Sequence, residues 1–414
     1  MRISRVLPYY VGICIVSLFT GIAYETETYV LRPFDVMIGI GVLLLAANAS
    51  WRGYAQRLDK GLPYYLFALL YLYRGLSGLV MTGPVLALKE LLQGLEFLFL
   101  IHLVVKSTKR QRSRRQFLQT LYVGFGGIAV VTALLHIANG HYSGYKYLYY
   151  FGYTTGDAQK YAFGLFGLMA LIFWARDRKN TYTFLVLMGA ISLTLLSGER
   201  KGWVALAAAT VAIYYVQNNF RLWTALRSAF RARYLALAGL FVIGLILAAN
   251  FRYAEKQLDS LGDTYAMVVE REFDYVPMGP GRRQDVGRYN GLVFLMDALS
   301  RYPIFGVGTE RRKEAVSEIP TPNVYITTGH GEYQRYALEN GLIGLLLYIL
   351  IWCFVFKNVL KVKTNLYLDY LSVLFIYGFM VYSVVVNMFM GGGAHNIMFL
   401  SVSVGFVVIV RNMN

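Results

Sequence analysis

The sequence predicts an all-α polytopic membrane protein of about twelve transmembrane helices with one large outer loop containing amphipathic helices. Three observations predict it. Of 414 residues, 57% are hydrophobic and only 15% charged, against about 25% charged in a soluble domain. Apolar runs recur along the whole length, and a run of roughly 17 to 25 residues crosses about 30 Å of hydrocarbon. Lysine and arginine collect in alternate loops, as they do on the cytoplasmic side of polytopic proteins.

Twelve apolar segments follow in order, at 6–23, 34–50, 62–81, 85–105, 117–138, 161–175, 181–197, 202–217, 234–250, 336–356, 366–388 and 396–410. The first begins after Arg2 and Arg5 and resembles a signal peptide, but eleven further spans behind it favour an uncleaved helix. The fourth is unusually polar, with Lys89, Glu90 and Glu96. The organisation expected is 1–250 for spans one to nine, 251–335 for the large loop, and 336–414 for spans ten to twelve. Cys14 and Cys353 both fall within spans, so neither a disulfide nor a thiolate metal site is expected.

Orientation follows from the charges. With the N-terminus inside, the internal segments hold 22 basic residues against two acids, Asp59 and Asp177. That excess is larger than the +17 of the entire chain, so everything else sums to a small negative charge. Both termini are then cytoplasmic. The basic balance needs no nucleic acid, because the loop Lys106–Arg115 faces anionic lipid headgroups. Residues 251–335 lie outside, with 11 bases and 12 acids. A shorter outer loop carries Tyr142, Tyr145, Tyr147, Tyr149, Tyr150 and Tyr153, which suit an interfacial aromatic belt or stacking against sugars.

Four stretches with chemical potential all fall on the outer side. In Ser197-Gly198-Glu199-Arg200-Lys201-Gly202, a basic pair sits on the side where bases are disfavoured, suggesting an anion to neutralise; snorkelling interfacial bases are the bland alternative. In Gly281-Arg282-Arg283-Gln284-Asp285-Val286-Gly287-Arg288, three arginines offer planar forks for phosphate, or salt bridges to Asp274 and Asp285. An amphipathic helix then runs from Arg288 to Arg301 and stops before Pro303. Gly329-His330-Gly331-Glu332-Tyr333 supplies a histidine suited to moving a proton, with Glu339-Asn340-Gly341-Leu342-Ile343-Gly344 behind it at the mouth of span ten. Gly391-Gly392-Gly393-Ala394-His395-Asn396 reads as a tight turn, or as a turn closing over a site. No P-loop is present, and no cluster has metal-ligand spacing. Glu25-Thr26-Glu27 is the nearest to a paired-acid motif.

The order of these motifs resembles the O-antigen ligase and polymerase family of bacterial surface-polysaccharide assembly, over residues 197–350. It rests on Ser-Gly-x-Arg before a span, Gly-Arg leading a helix that ends in Pro-x-x-Gly-x-Gly, and His-x-x-Tyr running into Glu-x-Gly-x-x-Gly. The chain departs from the family at Gly331, where asparagine is common, and at Glu199, where a small residue is common. The resemblance implies an inner-membrane enzyme with a periplasmic active site. Its donor would be a glycan on undecaprenyl diphosphate, and an acceptor sugar hydroxyl would attack the anomeric carbon. His330, by match to the family histidine, would be general base. Arg200 and Arg288 would hold the diphosphate. Lys201, Arg283, Glu332, Tyr333 and Arg335 are candidate substrate-binding neighbours. No metal and no cofactor are expected; the partners are the lipid-linked donor, the acceptor glycan and membrane lipids. Polymerisation of O-antigen or exopolysaccharide repeat units is favoured, with ligation to lipid A core as the alternative. The rival classes are a polysaccharide flippase, using the intramembrane charges Arg74, Lys89, Glu90 and Glu96, and a metal-dependent transferase using Glu25 and Glu27.

Overall fold

A computed structural model describes residues 3–21, 24–25, 30–46, 60–139, 158–197, 200–224, 275, 283–309, 311–319, 326, 331–364, 368–389 and 394–412. Among them the helices are α1 (Ile3–Ser17), α2 (Pro33–Ala46), α3 (Gly61–Met81), α4 (Pro84–Thr108), α5 (Gln111–Ala138), α6 (Ala158–Arg176), α7 (Thr181–Leu196), α8 (Arg200–Gln217), α9 (Arg283–Arg301), α10 (Arg312–Glu318), α11 (Glu332–Val359), α12 (Tyr370–Phe389) and α13 (Ala394–Arg411). Two-residue strands Tyr24–Glu25 and Val30–Leu31 pair antiparallel between α1 and α2.

Each apolar segment read from the sequence has a helix over it, except 234–250, which lies outside the described residues. Four described helices are long and apolar enough to cross a membrane: Gly61–Met81, Gln111–Ala138, Glu332–Val362 and Tyr370–Met388. The remaining apolar helices are shorter or more polar. Large apolar side chains stand exposed along one face of α3, α4 and α5, including Leu72, Leu79, Leu88, Leu95 and Val123. Such stripes are incompatible with water and compatible with lipid. The chain is an integral membrane protein.

Local chemistry sets the helix ends. Pro84 begins α4 behind Gly83, a position where a missing N–H costs nothing. Asn180 caps α7, its Oδ1 accepting from the N–H of Tyr182 at 2.9 Å and of Thr183 at 3.3 Å. Between helices, small residues allow close approach, the usual device where lipid supplies no hydrophobic drive. A Cβ on Gly94 would meet the Tyr71 side chain at 2.6 Å, and one on Gly124 the Val16 side chain at 2.5 Å. Helices α6 and α13 are buried almost all round and form the centre of the bundle, as helices hydrophobic on every face do.

Two expectations need amending. Arg114 does not face headgroups: it is buried, donating to the carbonyls of Thr108 (3.2 Å) and Lys109 (3.1 Å) and to Ser372 Oγ (3.1 Å), beside Asp369. It closes the end of α4 and ties it to the start of α12. His395, read with Asn396 as part of a tight turn, belongs to the first turn of α13. It is buried against Phe19 and Tyr161, with Nε2 3.0 Å from the Leu18 carbonyl.

Candidate active site

The helix at residues 283–301 starts five residues earlier than its amphipathic pattern suggested. Its inner face is Val286, Tyr289, Asn290, Val293, Phe294 and Ala298, all buried. After Arg301 the chain turns through Tyr302–Thr309 and lies against α11. Three backbone bonds hold it there: Val307 N–H to Leu338 O (2.8 Å), Gly308 N–H to Glu339 O (3.2 Å) and Leu342 N–H to Pro303 O (2.8 Å). On its other side Tyr73 donates to Ile304 O at 2.6 Å and Ser77 to Phe305 O at 2.9 Å. The turn is thus wedged between α3 and α11.

Glycine makes the wedge possible. Gly341 interrupts α11 with φ 65° and ψ −167°, and a Cβ there would stand 2.0 Å from Ile304 O. Gly306, at φ 65°, would press a Cβ to 2.3 Å from Leu338 O. The Pro-x-x-Gly-x-Gly and Glu-x-Gly-x-x-Gly motifs, some 35 residues apart, are the two halves of this one contact. The helix break exposes the backbone N–H and C=O groups that the turn then satisfies.

Beneath the contact lies a buried ionic cluster. Arg74, fully buried on α3, places Nε 2.6 Å from Glu90 Oε2 on α4. Its Nη2 is 3.9 Å from Glu339 Oε2, and its guanidinium covers the rings of Tyr336 and Tyr71. Glu339 also faces Arg335 Nε at 3.1 Å and Arg312 Nε at 2.7 Å. Arg335 reaches Glu332 at 3.6 Å. Three arginines and three glutamates therefore cancel. Beside them Tyr336 stacks on Tyr348, which donates to Asn387 Oδ1 at 3.0 Å.

The first turn of α11 is packed against the end of α12. Gly331 precedes the helix, and a Cβ on it would meet Met388 O at 2.4 Å. This explains glycine where the related family commonly has asparagine: a side chain has no room. Helix α12 runs antiparallel to α8, with Tyr370 against Gln217 and Gly378 against Ile213. Arg200 and Lys201 begin α8, at the end of the helix away from Gln217. Helix α9 in turn packs along α11, with Phe294, Ala298 and Leu338 in one apolar cluster.

The predicted site residues distribute as follows. Arg200 opens α8, with Lys201 partly buried beside it; Arg283 opens α9, and Arg288 lies on its second turn. Glu332 and Arg335 are buried in the ionic cluster, and Tyr333 is partly buried with its ring 5.0 Å from Tyr348. His330 lies outside the described residues, directly before Gly331, as do Tyr142 to Tyr153, Glu199 and Glu27. Among the described residues no three His, Cys, Asp or Glu side chains converge as metal ligands. Before α9, Tyr275 donates to Asp297 at 2.7 Å; burial first, and then this carboxylate, push its hydroxyl pKa up.

Reading the sequence missed Arg74, Glu90, Glu339, Arg312 and Asn340 as one unit. One signal was available. Arg74 lies nine residues before Gly83 and Glu90 seven after it, so a hairpin turning at Gly83-Pro84 sets the two level.

A bundle of apolar helices, and a helical segment docked on a broken helix, define an integral membrane protein. Residues 183–349 match the family model described as O-antigen ligase, a stretch that contains Arg200, Arg288 and His330. The match supports an O-antigen ligase/polymerase family and a glycan-transfer role in surface-polysaccharide assembly. No curated protein matches the chain.

Proposed function

We propose that the protein is an inverting, metal-independent glycosyltransferase at the periplasmic face of the bacterial inner membrane, with twelve spans and cytoplasmic termini. It takes a glycan from undecaprenyl diphosphate and delivers it to an acceptor sugar hydroxyl. The observation that supports this reading is the packing of Gly331, the residue after His330, on Met388 O in the last turn of α12, a helix packed along the α8 that Arg200 opens.

In the proposed reaction the acceptor hydroxyl attacks the anomeric carbon and passes its proton to His330. The bond from that carbon to the phosphate oxygen breaks, and the electron pair leaves with the lipid diphosphate. Arg200 and Arg288 neutralise the charge developing there, with Lys201 and Arg283 as adjacent donors. Glu332, Tyr333 and Arg335 shape the acceptor side. A single displacement inverts the anomeric centre.

Polymerisation of lipid-linked repeat units is the preferred acceptor reaction, and ligation to lipid A core is the second. Purified protein in liposomes, given the lipid-linked donor with each acceptor in turn, separates them. Product on lipid A core alone refutes the polymerase reading. A flippase would use the intramembrane charges along its path, whereas Arg74 and Glu90 are buried and paired with each other. Donor translocation without any new glycosidic bond would overturn the transferase reading.

A further inference from the structure

We propose that Glu339 is a positioning residue for this transfer: it joins the Tyr302–Thr309 turn and the opening turns of α11, the helix that follows His330 in the chain, into one body. The inference rests on the reading of His330 as the proton acceptor.

Glu339 is fully buried and faces arginines from three separate segments: Arg74 on α3, Arg335 on its own helix, and Arg312 on α10 in the outer loop. Those segments have no covalent reason to move together. A carboxylate with Arg335 at 3.1 Å and Arg312 at 2.7 Å makes them do so. Its backbone takes part as well, since its carbonyl accepts from the Gly308 N–H at 3.2 Å. The next residue, Asn340, donates to Thr309 Oγ1 at 3.4 Å, and the one after that is the helix break at Gly341.

The neighbours divide the labour. Arg311, adjacent to Arg312, is committed to Met81 O at 3.2 Å and to Glu318, so it anchors α10 to the end of α3. Arg312 is the rim member of the cluster, with 30% of its side chain exposed while Glu339 shows none. Glu339 lies nine residues along the chain from His330 and is wholly buried among its arginines. It cannot touch the reacting atoms and acts only through the geometry of the first turns.

The test uses full-length protein in lipid nanodiscs. Arg312→Gln is the main variant, because Glu339 keeps two arginines and the fold survives; Glu339→Gln is the second. Two quantities are measured: kcat and KM for the lipid-linked donor, and hydrogen exchange over 302–312 and 331–342. The amides of Val307, Gly308 and Leu342 report directly on the docked turn. Arg312→Gln is expected to speed exchange in both segments, leave the rest of the bundle unchanged, and lower kcat by up to about a hundredfold with KM little altered. Adding Glu339→Gln is expected to cost little more, because the two act as one unit.

A merely structural role would lower the yield of folded protein while kcat per folded molecule stayed constant. That result overturns the proposal, as does faster exchange confined to 302–312 with kcat intact. The two readings fail separately. A wild-type protein without transfer activity whose two segments still exchange together sinks the transferase assignment and leaves the coupling standing.

Discussion

At the scale of single residues, the least expected feature is a fully buried arginine in a span. Arg74 is tolerable only because Glu90 and Glu339 neutralise it and two tyrosine rings cover it. An ion pair in a low-dielectric interior contributes little net stability when whole, yet breaking it leaves a bare charge. Arg74→Ala is therefore expected to lower stability by about 3–5 kcal/mol, read as a fall in the thermal midpoint of the detergent-solubilised protein. Arg74→Met combined with Glu90→Leu is expected to recover part of that loss. At the proposed site, His330→Ala or Arg288→Ala is expected to reduce transfer by about a hundredfold or more while membrane insertion and folding persist. Near-normal turnover in either variant removes that residue from the mechanism. Arg200→Lys is expected to fail too, because a point charge does not replace a bidentate fork.

At the scale of elements, the decisive contact is the Tyr302–Thr309 turn against the break in α11. Gly341 has both a positive φ and a carbonyl oxygen where its Cβ would stand. Gly341→Ala is expected to undo the docking, at a cost above the ~1 kcal/mol of a strained backbone alone. Limited proteolysis within 302–320 would detect it as faster cleavage, and unchanged cleavage would show that the turn docks without the break. Gly331→Asn, which restores the residue common in the related family, is expected to destabilise the start of α11 because Met388 O occupies the space. Much of this was legible. The amphipathic helix ending before Pro303 is legible in the sequence, as is the Glu339–Gly344 motif at the mouth of span ten; the break at Gly341 is not. Their joining was not, since nothing in either motif encodes a contact with the other.

At the scale of the molecule, the positive-inside count and the fold address different questions. The count assigns sides to loops; the helices supply the membrane-competent bundle. Single-cysteine labelling in intact cells tests the assignment: positions in 106–116 are expected to be shielded from an impermeant reagent, and positions in 311–318 to react. Labelling of both would break the orientation on which the shared site depends. Activity is expected to survive EDTA, because the proposed reaction gives arginine and lysine the work that Mg²⁺ does in other phosphate chemistry. A loss restored by added divalent metal would revive Glu25 and Glu27.

By itself the sequence determined that this is a helical membrane protein and where its apolar segments run. Hydropathy and charge are one-dimensional quantities, and bilayer insertion responds to them segment by segment. Only the tertiary structure decided that Arg114 caps a helix, that His395 is a core residue, and that Arg74, Glu90, Arg312, Arg335 and Glu339 form one cluster. Those outcomes depend on which faces of distant helices meet, and Arg74 and Glu339 are 265 residues apart. A charge in a span reads as costly until its partner is known; packing alone supplies the partner.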